Sequence, residues 1–211
     1  MPAMIEEKTE TKEKKPKRSV KRKTVDKWKR KKWFSIIAPD FFNREPLGET
    51  VSEEEEKVLN RTIVANAGEL SRQSKLRHIQ LKFSIHKTQG QKAFTQFKGH
   101  EIQDSYLKRL ARRRSSKIQV VEELTIKTGE KVRVKAVTIT SRKAAQIQKT
   151  QIRKIMKKEL EDAAGKKTFE QFIQEIIFGT ISSNIFKSAK KIVPIKRVEI
   201  NKSLVLRQKA T

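Results

Sequence analysis

The residues of this chain with the clearest capacity for chemistry are lysines and arginines, and they are densest in residues 104–140. The first part of this stretch, D-S-Y-L-K-R-L-A-R-R-R, places apolar side chains at helical spacing from Tyr106 to Ala111. The remaining positions hold Lys108, Arg109, Arg112, Arg113 and Arg114. Guanidinium groups bind phosphate oxygens in pairs and stack on unpaired bases, so this predicted helix favours a nucleic acid partner.

A predicted β-hairpin follows and must help to position those cations. Two extended runs, residues 117–127 and 131–140, flank a T-G-E loop whose glycine suits a tight turn. In the second run cations alternate with apolar residues, so one face of the strand is cationic and the other faces a core. After Ala136 the apolar phase shifts, which predicts either a bulge or a strand end that is covered on both faces.

The overall charge indicates the same class of partner. The chain has 51 Lys and Arg against 24 Asp and Glu, a net charge of +27. Such an excess repels itself unless a polyanion neutralises it, and nucleic acid is the commonest such partner. Binding to an anionic membrane surface would require a long amphipathic basic helix with aromatic residues, and the sequence has none. Spanning a membrane would require an apolar run of about 18 residues, which is also absent from the sequence. We therefore expect nucleic acid and no membrane.

Few residues are suited to catalysis or metal binding. Cysteine is absent, which excludes disulfides, zinc fingers, iron–sulfur clusters and thiol catalysis. There is no phosphate-binding glycine motif and no H-E-x-x-H, and the three histidines lack partners for a catalytic triad. Ser52 precedes the glutamates at 53–56 with the spacing of a capping box, which predicts a helix start rather than a metal site.

We therefore expect no enzyme activity, no metal, no cofactor and no small-molecule substrate. A rival interpretation is an RNA-processing enzyme whose carboxylates bind magnesium. That activity would need acidic side chains that converge on one cleft, whereas the acids of this sequence lie mostly at helix starts or singly.

Residues 1–32 carry 14 basic and 5 acidic side chains without an apolar pattern. This composition is typical of a solvated tail or of an extension that is disordered when free and orders on RNA, and the net charge of +27 favours the extension. Its last part runs into W-K-R-K-K-W-F, which interleaves aromatic rings with cations as a base-stacking surface would. We expect Trp28 to contact RNA, and Trp33 to start the core together with Phe34.

The remaining patterns predict a body of mixed α and β structure over residues 33–206, followed by a tail over 207–211. Strands are predicted at residues 62–65, 78–86, 93–97 and 195–206, and helices at 142–164, from 168 onwards, and at 182–190. We expect Gly99 to end the third of these strands and Gly165 to cap the long helix. The body is thus mostly β over 33–140, helical over 141–191 and completed by a strand over 192–206.

Several segments, in this order, resemble the archaeal and eukaryotic family of small-subunit ribosomal proteins called eS-one, or S-three-A-e. They are K-W-F-S-I-I-A-P-D-F-F-N-R (32–44), L-G-E-T (47–50), N-R-T-I-V-A-N-A-G-E-L (60–70), F-K-G-H-E-I (97–102), T-G-E-K-V-R-V-K-A-V-T-I-T (128–140), Q-I-R-K-I-M (151–156) and I-V-P-I-K-R-V-E-I (192–200). The likeness spans nearly everything after Lys32. The short C-terminal tail is typical of archaeal members.

The resemblance implies a fold, a function and a set of partners. The fold is α+β, with a curled, largely antiparallel and partly barrel-like sheet and packed helices, the longest of them in the C-terminal third. The function is that of a structural constituent of the cytoplasmic ribosome, which binds small-subunit rRNA on the platform near the rRNA 3′ end and the mRNA exit. Its partners are rRNA and neighbouring platform proteins, with mRNA and initiation factors as further candidates. The alternative is an RNA-associated docking protein for initiation factors.

The predicted interface gathers cations from several segments, so that phosphates of several RNA helices are neutralised at once. About 10 phosphate contacts would give a log–log salt slope of about −7 to −9. The residues expected to contact RNA are Lys27, Trp28, Lys29, Arg30, Lys31, Lys32, Arg44, Lys108, Arg109, Arg112, Arg113, Arg114, Lys117, Arg133, Arg142, Lys143, Lys149, Arg153, Lys154, Lys157 and Lys158.

Overall fold

A computed structural model describes residues 27–207 of the chain. The chain divides into two units, residues 1–30 and residues 31–211, and the described part of the first is the 3-10 helix Lys27–Arg30. The predicted RNA-ordered extension therefore lies largely outside the described residues, as does most of the predicted tail. The division into extension, body and tail stays a prediction.

The described part of the second unit contains eight strands, which form one sheet. They are β1 (Lys32–Ile37), β2 (Pro46–Ser52), β3 (Thr62–Asn66), β4 (Ile79–Gln89), β5 (Lys92–Ile102), β6 (Lys117–Thr125), β7 (Lys131–Thr140) and β8 (Ile195–Arg207). β5 is the central strand, because one of its edges pairs along its length with β4, which also pairs with β3. Its other edge is shared: the first residues pair with β1 and the last residues with β8.

Beyond β5 the sheet continues in two directions. β1 leads to β2, while β8 leads to β7 and then to β6. The β1–β5 pairing is parallel, and every other pairing among the described strands is antiparallel. The sheet is not closed. The α+β class and the largely antiparallel sheet are thus confirmed.

Within residues 27–207, five α-helices accompany the sheet: α1 (Ala67–Leu70), α2 (Asp104–Leu110), α3 (Gln146–Lys166), α4 (Phe169–Phe178) and α5 (Thr180–Ala189). Three further 3-10 helices span Asp40–Phe42, Glu56–Val58 and Ser74–Leu76. The longest helix, α3, lies in the C-terminal third as expected, and its buried side is formed by Ile152, Met156, Leu160 and Ala164. It packs on β6 and α5.

Period-two and period-3.6 patterns account for most of the core. In β4 the side chains of Ile79, Leu81, Phe83 and Ile85 alternate inward and are all buried. In α4 the phenylalanines at 169 and 172 are buried, and the Gln171 Oε1 accepts a hydrogen bond from the Thr168 N–H at 3.4 Å. Burial of these side chains contributes about 1.5–3 kcal/mol each to folding.

Gly99 does not end β5, which continues to Ile102. A Cβ atom at position 99 would overlap the carbonyl oxygen of Ser203 in β8, so glycine is what lets these two strands approach. The next residue, His100, is fully buried at the same junction. Its Nε2–H donates to the Ile200 carbonyl oxygen at 2.8 Å, and its Nδ1 accepts from the Ser203 hydroxyl at 2.5 Å. Burial lowers the pKa of His100 to about 4.

Helix ends were predicted with errors that have local causes. α2 stops at Leu110, because the backbone of Ala111 leaves the helical region with ψ of 87° and the arginines that follow form a loop. The Lys196 ammonium donates to the free Leu110 carbonyl oxygen at 3.3 Å. α3 begins at Gln146 rather than at 142 and runs through Gly165 to Lys166. Gly165 therefore does not cap it.

Two further expectations near the N-terminus were wrong. Ser52 caps no helix: it ends β2, and its hydroxyl donates to the Glu54 carbonyl oxygen at 2.8 Å. Trp33 is 57% exposed rather than buried. The alternation of β1 turns Phe34 and Ile36 inward, which leaves the indole on the outer face.

The phase shift after Ala136 reflects a strand end that is covered on both faces. Every residue from Ala136 to Thr140 is buried. The register of β7 with β6 is continuous there, whereas its register with β8 shifts between Lys135 and Ala136, so the extra residue, Asn201, belongs to β8.

Candidate nucleic-acid interface

Helix α2 packs on the sheet through Leu107 and borders a groove on each side. One groove, of about 510 Å³, is called here the lysine groove and is lined by Asp104, Leu107, Lys108, Ala111, Lys117, Gln119, Lys135 and Asn201. The other, of about 720 Å³, is called the aromatic groove and is lined by Ser74, Lys75, Arg77, His78, Gln103, Ser105, Tyr106, Arg109 and Arg197. The helix that the sequence singled out therefore stands between two cation-lined depressions.

Three strands and a helix supply the lysine groove. Lys108 comes from α2, Lys117 from β6 and Lys135 from β7, and none of the three has a carboxylate partner among the described residues. Asn201, the bulge residue of β8, also lines the groove, but its Oδ1 is buried and has no hydrogen-bond partner in the described part of the chain. The groove thus offers three cations for phosphate oxygens.

The aromatic groove combines rings with cations. The rings of His78 and Tyr106 stack with centroids 4.0 Å apart and an interplanar angle of 22°. The guanidinium carbon of Arg109 lies 5.5 Å from the centre of the Tyr106 ring, within cation–π range. The Tyr106 hydroxyl donates to the Glu199 carboxylate at 3.3 Å, which fixes the orientation of the ring. Burial lowers the pKa of His78 below the ordinary imidazole value.

The three consecutive arginines lie in an exposed loop between α2 and β6. The Ser115 hydroxyl donates to the Arg112 carbonyl oxygen at 2.5 Å, and Arg114 has a left-handed backbone with φ of 66°. No carboxylate within 4 Å neutralises Arg112, Arg113 or Arg114 in the described part of the chain. The prediction of a cationic surface here stands, although its backbone is a loop and not a helix.

A hydrogen-bonded junction holds this loop beside the segment that precedes α3. The Ser116 N–H donates to the Thr140 hydroxyl oxygen at 2.9 Å, and the Thr140 hydroxyl donates to the Arg142 carbonyl oxygen at 2.5 Å. The Ala144 N–H in turn donates to the Ser116 hydroxyl oxygen at 3.1 Å. Two cation clusters that are distant in sequence therefore form one surface.

We call this surface the α2 band. It comprises Lys108, Arg109, Arg112, Arg113, Arg114, Lys117, Arg142 and Lys143. None of these eight side chains has a carboxylate partner within 4 Å among residues 28–206.

The predicted cations of α3 lie on two different parts of the helix. Lys154 and Lys158 are exposed on its outer side, while Lys149 and Arg153 are half-buried beside the apolar stripe. Lys157 pairs with Glu122 of β6, with an Nζ to Oε1 distance of 3.1 Å. Only the outer lysines therefore face solvent without a competing carboxylate.

Two more predicted contacts are engaged within the protein. The Nε of Arg44 lies 2.6 Å from the Asp40 carboxylate, and the Arg44 guanidinium lowers the pKa of Asp40. Arg133 pairs with Glu123 across the β6–β7 ladder at 2.6 Å. Arg44 also borders a different groove, together with His86, so it does not join the α2 band.

The N-terminal candidates belong partly to the first unit. Lys27, Trp28, Lys29 and Arg30 form its described 3-10 helix, and the Trp28 indole is 61% exposed. Lys31 and Lys32 open the second unit, Lys32 as the first residue of β1.

Sequence reasoning missed most of the aromatic groove. Lys75 and Arg77 follow α1, whereas Arg197 lies near the start of β8, and no local pattern links these residues to Tyr106. Tyr106 was expected on the buried side of its helix; it is half-buried and stacks on His78. Only the order of the folded strands brings these segments together.

The described residues contain no group of three His, Asp or Glu side chains that could hold a metal ion. Within the same part of the chain, no helix is both long enough and apolar enough to cross a membrane. Two of the glutamates at 53–56 pair with Lys57, whose Nζ lies 3.9 Å from the Glu53 carboxylate and 2.9 Å from the Glu54 carboxylate.

Comparison with known proteins identifies the family. The model of the Ribosomal S3Ae family matches residues 19–209. The chain belongs to the Ribosomal S3Ae family. A relative in this family, the small ribosomal subunit protein eS1 of Sulfurisphaera tokodaii, is 40% identical over 185 residues, which cover 88% of this chain and 96% of that protein.

Other S3Ae relatives show the same extent of similarity. The eS1 protein of Saccharolobus islandicus strain L.S.2.15 is 40% identical over 182 residues, or 86% of this chain and 88% of that protein. The eS1 protein of Saccharolobus solfataricus is 38% identical over 182 residues, with the same coverage of both chains. The family resemblance seen in the sequence segments is thereby confirmed, and the relatives are archaeal. The match spans the whole α2 band and both grooves.

Proposed function

We propose that this S3Ae family member is a structural constituent of the small ribosomal subunit. It binds ribosomal RNA on the platform, near the rRNA 3′ end and the mRNA exit, and supports translation from the cytoplasmic ribosome without catalysing a reaction. The family match and the small-subunit names of its relatives support this role.

The observation that carries RNA binding is the α2 band. A protein of net charge +27 holds eight cations on one hydrogen-bonded surface without the carboxylates that neutralise Arg44, Arg133 and Lys157. Unpaired cations gain most from phosphate, because no internal ion pair must be broken first. We expect the band to be the primary contact, with Lys154 and Lys158 beside it and the engaged cations contributing less.

The lysine groove adds cations to this surface. Lys108, Lys117 and Lys135 line it and have no carboxylate partners among the described residues. We therefore expect it to hold phosphates of the same RNA.

The proposal includes protein neighbours. Ribosomal proteins of the platform are the expected partners, and mRNA and initiation factors are further candidates. Exposed apolar side chains away from the α2 band, such as Phe178 at the end of α4 and Val64 on β3, give such neighbours a surface.

The test is sedimentation of the tagged full-length protein from a native lysate. Co-migration with small subunits that persists through moderate salt is the expected result, whereas a free pool with no protein on subunits would refute the proposal.

The role of the band is tested with the purified protein and an rRNA fragment. Arg112→Gln with Arg113→Gln should reduce the log–log salt slope by about 1.5–2. The matched control, Lys57→Gln with Arg72→Gln, removes the same charge from side chains that already pair with glutamates. Equal slopes in the two variants would show that binding depends on net charge alone, which would contradict the proposed role of the α2 band.

A further inference from the structure

The aromatic groove is built to hold a planar ring. Its walls carry two stacked rings, His78 and Tyr106, and the geometry of the pair is fixed from both sides. His78 belongs to the turn before β4, whereas the Tyr106 hydroxyl is held by Glu199 of β8. A ring pair that is anchored to separate elements is preorganised, so a third ring can join it at little entropic cost.

The charges around these rings suit a phosphodiester. Lys75, Arg77 and Arg109 line the groove without carboxylate partners in the described part of the chain. The Glu199 carboxylate, which accepts from Tyr106, is already engaged by Arg197, with an Nε to Oε1 distance of 2.7 Å. The groove is therefore net positive around an uncharged aromatic platform.

The size and position of the aromatic groove favour an unpaired nucleotide over a duplex. The volume of about 720 Å³ is in the range of sites that enclose one small ligand, about 300–1,000 Å³. Arg109 contributes both to this groove and to the α2 band, so a strand held by the band passes the mouth of the groove. A duplex keeps its bases stacked on each other and could present only phosphates here, whereas an unpaired nucleotide could also insert its base.

We propose that the aromatic groove binds one unpaired nucleotide of the RNA that the α2 band holds, with the base stacked on the His78–Tyr106 pair and the flanking phosphates against the cations of the groove. This inference rests on the proposed RNA binding and specifies it further. The protein thus recognises an unpaired nucleotide in addition to binding the RNA backbone.

The experiment compares a short single-stranded oligouridine RNA with a blunt RNA duplex of equal phosphate number, by fluorescence anisotropy on the full-length protein. His78→Ala should weaken single-strand binding about five- to tenfold, leave duplex binding within about twofold, and leave the salt slope unchanged, because stacking is lost without loss of charge. His78→Phe should restore single-strand affinity. The matched control, His86→Ala, changes an exposed histidine of β4 outside the groove and should have no effect.

A second measurement needs no variant. An oligouridine with one 2-aminopurine should lose fluorescence on binding to the wild-type protein, since stacking on an aromatic ring quenches this base. Unquenched fluorescence in the bound state would overturn the inference.

Other outcomes separate this inference from the proposed function. RNA binding that is intact but insensitive to His78→Ala refutes the aromatic groove alone, and so does an equal loss for single strand and duplex. Competition by uridine monophosphate at oligomer concentrations would make the groove a small-molecule site and also refute the inference. Only a wild-type protein that binds neither RNA contradicts the proposed function itself.

Discussion

Acidification should destabilise this protein through one buried histidine. His100 joins β5 to β8 as a neutral ring: its Nε2–H donates to a carbonyl oxygen that cannot donate in return, so its Nδ1 must accept from the Ser203 hydroxyl. Protonation of the ring would add an N–H at Nδ1, and this proton would face the hydroxyl proton that Ser203 donates to the neutral ring. Burial adds a desolvation cost, and the pKa of His100 is lowered from 6.5 to about 4.

The sign and size of the effect follow from this shift. As pH falls below 6.5, the unfolded chain takes up a proton at position 100, while the folded chain stays neutral until about pH 4. The unfolded state therefore binds more protons in that pH window, and the free energy of unfolding decreases as the pH decreases. The linkage relation gives a loss of about 2 kcal/mol between about pH 7 and about pH 5, and about 3 kcal/mol by about pH 4.

The assay is denaturant unfolding followed by far-ultraviolet circular dichroism at several pH values, for the wild type and His100→Gln. Glutamine retains an N–H donor for the Ile200 carbonyl and does not titrate. The other histidines and the carboxylates contribute alike to both proteins, so the difference between the two curves isolates His100. Curves that stay parallel from about pH 7 to about pH 5 would refute the argument from burial.

Two further predictions concern strand packing and the helical core. Gly99→Ala should destabilise the fold by about 3 kcal/mol or more, because a Cβ atom there overlaps a neighbouring strand, whereas Gly90→Ala, with open space around it, should cost about 1 kcal/mol. Equal shifts of the denaturation midpoint would contradict this. Phe172→Ala should cost about 3–5 kcal/mol, and Phe178→Ala, which is 54% exposed, less than about 0.5 kcal/mol by the same measurement.

Periodic burial made much of the fold predictable from the sequence. The alternation from Ile79 to Ile85 predicts which face of that strand is buried, and the i, i+3, i+4 spacing around Phe172 does the same for its helix. The structure buries both of these faces. Trp33 shows the limit of this reasoning, since an aromatic residue next to a buried Phe34 must point to the opposite side of its strand. A strict period of two would have predicted its exposure.

The features that depend on neighbouring strands were not predictable in this way. Gly99 reads locally as a strand end, and only the approach of β8 explains why β5 continues past it. The α2 band was foreseen as a set of cations, but the hydrogen bonds of Ser116 that join its two halves connect segments about 25 residues apart. The aromatic groove required three such distant segments, so no sequence pattern signalled it.

We propose that the α2 band binds RNA within the small ribosomal subunit. Ultraviolet crosslinking of native small subunits, followed by mass spectrometry of the crosslinked peptides of this protein, tests it most directly. RNA adducts are expected on peptides that cover residues 104–117 and 142–158. Adducts confined to other parts of the chain, with those peptides recovered unmodified, would contradict it.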